Sequence, residues 1–239
     1  LSLKRRLEDK IKIENKSGEF NISVDIFYTM HETARDFQDL GKLLAGADIY
    51  IPEVLGWGTL DLWHYRTIAN GERSPEEVIR ELKIIAPNMY PSHETRKKEF
   101  EALYNTHKQI IMIDIPAGHP LKKRFDDLDR SFLLSGDFNT DLKSYRNFLE
   151  ALAKLQRERE EYILDQFKKR VKETIENTPL LQEKNDVKIL MWLGSIHTAI
   201  SHFFKKGGIK TNARFDSTPY YFCFENEVIR RYRFDKEVD

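Results

Sequence analysis

With 239 residues the chain can bury a full core, and 40% hydrophobic with 12% aromatic residues mark a folded globule over a disordered segment. Lys plus Arg number 39 and Asp plus Glu also 39, so no global charge recruits nucleic acid or an anionic membrane. A single cysteine, Cys223, excludes an internal disulfide and any multi-cysteine zinc site, which makes a reducing compartment the expectation.

The chain opens Leu-Ser-Leu-Lys-Arg-Arg, without Met and without the apolar stretch of a signal peptide. No apolar run approaches the roughly 20 residues that cross a bilayer, so a cytoplasmic protein without a membrane span is expected. Residues 11–18 and 20–28 alternate polar and apolar around Lys16-Ser-Gly18, which predicts a β-hairpin. The second strand leads to His31 and Glu32. Ala34, Phe37, Leu40, Leu43 and Leu44 then recur at helical spacing up to Gly46. Residues 48–51 form a short apolar strand that ends on Pro52-Glu53. Strand, helix, strand predicts two parallel strands with a right-handed crossover.

Gly56-Trp-Gly58 breaks the chain, and residues 60–69 form an amphipathic piece holding Trp63, His64 and Tyr65. Ser74-Pro-Glu-Glu77 is a capping box with proline at the first helical position, so a helix starts there. Pro87 and Pro91 stop it, and Ser92 opens a charged helix towards His107. This helical insertion, about 56–107, either covers the sheet's ligand-binding edge or forms an ordinary helical layer. Residues 109–116 predict a third buried strand, ending Asp114-Ile-Pro116. The mixed segment 117–137 follows, where Lys122, Lys123 and Arg124 read as a solvated charged face.

A long helix is predicted over 141–175, with Tyr145, Leu149, Leu152, Leu155, Ile163 and Phe167 on its apolar face. Arg159 falls on that face, where its guanidinium must snorkel outward or meet an acceptor. Its neighbours Glu158 and Glu160 are expected to point elsewhere. Residues 189–193 read as a strand covered on both faces, turning through Gly194 and Ser195 into a helix near His197. The last stretch, 218–234, predicts a terminal hairpin on the sheet's edge. The expected architecture is a single α/β domain: a mostly parallel central sheet flanked by helices, with antiparallel edge hairpins and the helical insertion.

Four polar residues, His31, Glu53, Asp114 and His197, lie at or just past the ends of buried strands. Open α/β sheets place their ligands at that edge. Taken alone, His197 reads as an ordinary capping or packing histidine; the other three strand ends make it a candidate. If these groups converge with Arg159, two chemistries are open. His31, Glu53 and His197 are suitable ligands for a divalent metal (Mn, Zn or Co), which would bring the pKa of a bound water towards neutrality. Alternatively one histidine acts as general base while a carboxylate fixes its tautomer. Arg159 would stabilise negative charge in either case.

Other motifs are absent. In His31-Glu32-Thr-Ala-Arg35 an arginine stands where the zinc-protease helix has its second histidine, and His197 and His202 are five apart. No Gly-x-Ser-x-Gly elbow or phosphate-binding glycine loop occurs, and Cys223 falls inside the terminal strand pattern.

The order of pieces resembles the TraB/PrgY, Tiki, ChaN and erythromycin-esterase superfamily. Members carry a Gly-x-x-His after an early strand, a Glu ending the next, an Arg on a later long helix and a second Gly-x-x-His after a strand. Here Tyr28-Thr-Met-His31, Glu53, Arg159 and Gly194-Ser-Ile-His197 stand in those places, and residues 112–124 resemble the middle strand of the TraB branch. The sequence departs from the pattern at Tyr28, where the first motif has glycine. The resemblance implies a site used by some members for amide or ester cleavage, metal-dependent in some branches. A hydrolase acting on a small molecule or peptide is therefore expected. The rival expectation is a non-enzymatic binding or regulatory module whose pocket is filled by Tyr28 and by the aromatics Trp57, Trp63 and Tyr65.

Overall fold

The computed structural model describes residues 14–15, 18–19, 21–29, 37, 39–88, 92–131, 135–215 and 231. Its centre is set by β6 (Asp186–Gly194), whose apolar residues divide between two faces because successive strand side chains point oppositely. Val187, Ile189, Met191 and Leu193 join one core, while Leu190 and Trp192 join another. Both faces are covered, the pattern of a buried parallel strand. β3 (Asn21–Thr29) divides in the same way, with Val24, Ile26 and Tyr28 against Phe27. So does β4 (Ile49–Ile51), with Ile49 and Ile51 against Tyr50.

With β5 (Gln109–Ile110) and β7 (Lys210–Phe215) these strands form a sheet ordered β5-β4-β6-β3-β7, and every pairing is parallel. The expected parallel relation of β3 and β4 holds, but β6 lies between them. Two-residue periodicity tells which face a side chain takes; it is silent on which strand is the neighbour.

The expected antiparallel edge hairpins are not part of this sheet among the described residues. β1 (Glu14–Asn15) and β2 (Gly18–Glu19) pair antiparallel in a small sheet of their own. β3, predicted as a hairpin arm, is interior because β6 and β7 occupy its two sides. The edge next to β3 is the parallel strand β7, and the predicted hairpin over 218–234, with Cys223, lies outside the described residues.

One face of the sheet is packed by α6 (Phe138–Asn177) and α8 (Ala199–Lys206), through Ile163, Phe167, Val171, Ile200 and Phe204. The other is packed by α1 (Leu40–Ala45), α2 (Thr59–Ala69), α3 (Pro75–Ile85) and α4 (His93–Leu103). The segment between β4 and β5 is thus a helical layer over a sheet face. Ser74 Oγ accepts from Glu77 N at 3.3 Å while Glu77 Oε2 accepts from Ser74 N at 2.8 Å, the predicted capping box. Residues 120–131, read as mixed, form the helix α5 (Pro120–Ser131). Only Leu121 and Phe125 of α5 are buried, against Ile115 and Leu155, too few to give a helical stripe. A four-residue helix, α7 (Pro179–Gln182), links α6 to β6. No helix among the described residues is long and apolar enough to cross a membrane.

Register positions the site. Thr29 stands opposite Gly194, so β3 and β6 end together, while β4 stops at Ile51, opposite Met191, and the chain beyond it runs on to Glu53.

Candidate active site

Glu53 stands two residues beyond β4, and the chain there keeps company with the exit from β5. Ile111 N donates to Tyr50 O at 3.1 Å, Gly56 N to Ile115 O at 2.7 Å, and Trp57 Nε1 to Asp114 O at 2.6 Å. Gly56 makes the turn with φ of +80°, a conformation that favours glycine. Pairing therefore continues past the regular strands and carries Glu53 and Asp114 outward side by side. The regular part of β5 is only 109–110, shorter than the predicted 109–116, yet Ile111, Met112 and Ile113 remain buried.

Arg159 meets them from α6. Its Nε donates to Asp114 Oδ1 at 2.9 Å and its Nη2 to Asp114 Oδ2, a two-pronged pairing that fixes the guanidinium plane. The same Nη2 donates to Glu53 Oε1 at 2.7 Å. The other oxygen, Glu53 Oε2, accepts from Gly194 N at the end of β6. One turn of 3₁₀ helix, Ser195–His197, then brings His197 Nε2 to 3.1 Å from Glu53 Oε1. His197 Nδ1 lies 3.5 Å from Glu160 Oε1, within ion-pair reach although not in hydrogen-bond geometry. Tyr28 Oη donates to the His197 carbonyl at 3.2 Å and ties the turn to β3.

Burial sorts these groups. His197 is fully enclosed, Asp114, Glu160 and Arg159 nearly so, and Glu53 is the most accessible at 14% of its side chain. Burial works against the Arg159 charge, but Asp114 and Glu53 outweigh it and hold the guanidinium more firmly protonated than usual. Burial likewise disfavours a charged His197. Glu53 overcomes this, Arg159 opposes, Glu160 adds its pull, and the net result is a pKa above the ordinary imidazole value.

The structure thus brings Glu53, Asp114, Arg159 and His197 together, and Arg159 meets acceptors instead of snorkelling. His31 lies outside the described residues. The expectation that Glu160 points elsewhere is wrong. Where α6 passes the sheet's edge, Gln156, Arg159, Glu160 and Ile163 are all buried, so more than one stripe of the helix faces inward. Glu158 does turn outward and pairs with the exposed Arg124, as a solvated face would, whereas Lys122, only 22% exposed, lies against Gly56 and pairs with Asp126. Glu160, the Gly194 amide and the Tyr28 hydroxyl are members that sequence reasoning missed. For Tyr28 the available signal was its place one step before the end of β3.

The described donors do not fit a metal centre. Glu53 Oε1 already faces a guanidinium, Oε2 accepts a backbone amide, and both nitrogens of His197 face carboxylates. A cation in that place would compete with Arg159 for the same oxygens. Among the described residues no three His, Cys, Asp or Glu side chains are grouped as around a metal ion. Compared with protein-family models, curated proteins and solved structures, the chain matches none.

Proposed function

We propose that the chain is a hydrolase of an amide or ester bond in which Glu53 activates water. The observation that carries this reading is the position of Glu53: it is the most solvent-accessible member of an otherwise buried charged cluster at the carboxyl ends of the parallel strands. Arg159 and the Gly194 amide fix the carboxylate, and His197 approaches the oxygen that Arg159 also holds. In the step proposed, Glu53 takes a proton from water as the hydroxyl adds to the substrate carbonyl carbon. The proton then passes from Glu53 to the departing amine or alkoxide as the C–N or C–O bond breaks. Arg159 acts here as a positioning residue, since Asp114 and Glu53 occupy its charge. The resemblance to the TraB/PrgY, Tiki, ChaN and erythromycin-esterase group supports the same chemistry, and no step of it is routed through a metal.

A second reading, a non-enzymatic module that binds a small molecule or peptide, is favoured by one feature. The guanidinium that would face a developing oxyanion is almost wholly enclosed and paired with two carboxylates. A broad esterase and peptidase screen divides the two. The hydrolase reading expects turnover of some substrate that falls about 10²–10⁴-fold in Glu53→Gln. Turnover that is equal in both proteins, or none from either, ends that reading and leaves the binding module.

A further inference from the structure

A cavity of about 390 Å³ lies between α2, α3, α4 and the chain that leaves β4, within the size range of small-molecule sites. Its walls include Leu60, Leu82, Ile85 and Phe100, and two charged side chains, Asp61 and Arg96, also line it. Leu60 and Ile85, 42% and 53% exposed, give the cavity an apolar rim.

The polar groups are placed asymmetrically. Arg96 is buried, and its Nη1 is used twice, on Tyr65 Oη and on Glu99 Oε2. Its Nε and Nη2 make no hydrogen bond among the described residues and are not among the fully enclosed polar atoms that lack a partner. Glu99 needs nothing further, because Tyr50 and Tyr65 each donate to its Oε1 at 2.8 Å. Asp61 Oδ2 accepts from Gly58 N at 2.7 Å, and Oδ1 has no hydrogen bond among the described residues.

The unused donors of Arg96 are available to an acceptor, and the second oxygen of Asp61 to a donor. A bare anion is disfavoured, because Glu99, behind the wall, already balances Arg96 and Asp61 adds a negative charge to the lining. A zwitterion brings its own positive charge. We propose that this cavity binds a small apolar α-amino acid. Its carboxylate meets Arg96 Nε and Nη2, its ammonium meets Asp61, and its side chain lies among Leu82, Ile85 and Phe100. Glu53, Asp114, Arg159 and His197 do not line this cavity, and the proposal stands whether or not the chain is a hydrolase.

The test is calorimetric titration of the whole chain with L-phenylalanine and L-leucine, beside L-phenylalaninamide and 3-phenylpropanoate. At least one amino acid is expected to bind one-to-one, and the two analogues, each lacking one charge, to bind at least about tenfold more weakly. Asp61→Asn keeps an acceptor for the helix start, so the fold is retained while affinity falls about tenfold or more. Ile85→Trp at the exposed rim obstructs entry and is expected to abolish binding without lowering Tm. No binding of either amino acid up to about 10 mM overturns the proposal. Equal affinity for an analogue, or undiminished binding in Ile85→Trp, overturns it as well.

Discussion

Arg96 and Arg159 are both buried on helices, at 5% and 4% exposure, and both stay charged against burial, Arg96 beside Tyr65 and Glu99 and Arg159 beside Asp114 and Glu53, yet the two sites differ in kind. Arg96 pairs with Glu99 three residues along the same helix, and two tyrosine hydroxyls complete the carboxylate. That pair is balanced. Arg159 draws Asp114 and Glu53 from 45 and 106 residues away, and Glu160 and His197 crowd in beside them. Among the described residues three carboxylates gather near one guanidinium, and His197 stands beside two of them. The balanced pair is a fixture with guanidinium arms left for a cavity. The cluster at Arg159 instead sets a histidine of raised pKa next to a partly exposed carboxylate, the arrangement that the proposed acid–base role needs.

The sharpest way to break this contrast is to remove each guanidinium. Arg159→Met strands the enclosed Asp114 and the partly exposed Glu53, and urea denaturation should show a loss of about 3–5 kcal/mol. Arg159→Lys should recover little, because an ammonium cannot reproduce the two-pronged pairing. Arg96→Met should lose less, since Tyr50 and Tyr65 still donate to Glu99. Equal losses at the two arginines would erase the distinction. Next in size, Tyr50→Phe removes one hydroxyl from a charged acceptor, and the same measurement should register about 1.5–3 kcal/mol.

A smaller effect concerns pH. His197 has its pKa raised in the folded chain, so the stability that it adds is fully present below its unfolded value near 6.5. That contribution fades as pH rises through the folded pKa. The gap in melting temperature between the native chain and His197→Gln should therefore be widest in mildly acidic buffer and narrow towards alkaline pH. A gap that widens with pH would mean His197 is buried neutral. The least effect belongs to the surface: Arg124→Ala, which breaks the exposed pair with Glu158, should change stability by less than about 1 kcal/mol.

Much of the cluster was legible from the chain. Arg159 announced itself as a charge on an apolar helix face, and Glu53, Asp114 and His197 as polar residues just past apolar strands. Glu160 was hidden because a one-stripe view of a helix assigns its neighbouring direction to solvent, and only the second layer of packing reverses that. The helix α5 was hidden for the opposite reason, since it buries almost nothing. The cavity between α2, α3 and α4 was not foreseen either; its walls come from four segments that no local pattern relates.

Periodicity, caps and breakers are local, and residue order alone determined the α/β class, the parallel sense of β3 and β4, and the helix starts at Ser74 and Ser92. Tertiary structure alone decided that β6 enters between β3 and β4, because strand pairing joins segments whose faces match whatever their distance along the chain. That insertion brings Gly194 and His197 to Glu53, 141 and 144 residues away in sequence. The upward shift of the His197 pKa, which burial alone would have reversed, is a consequence of this neighbourhood.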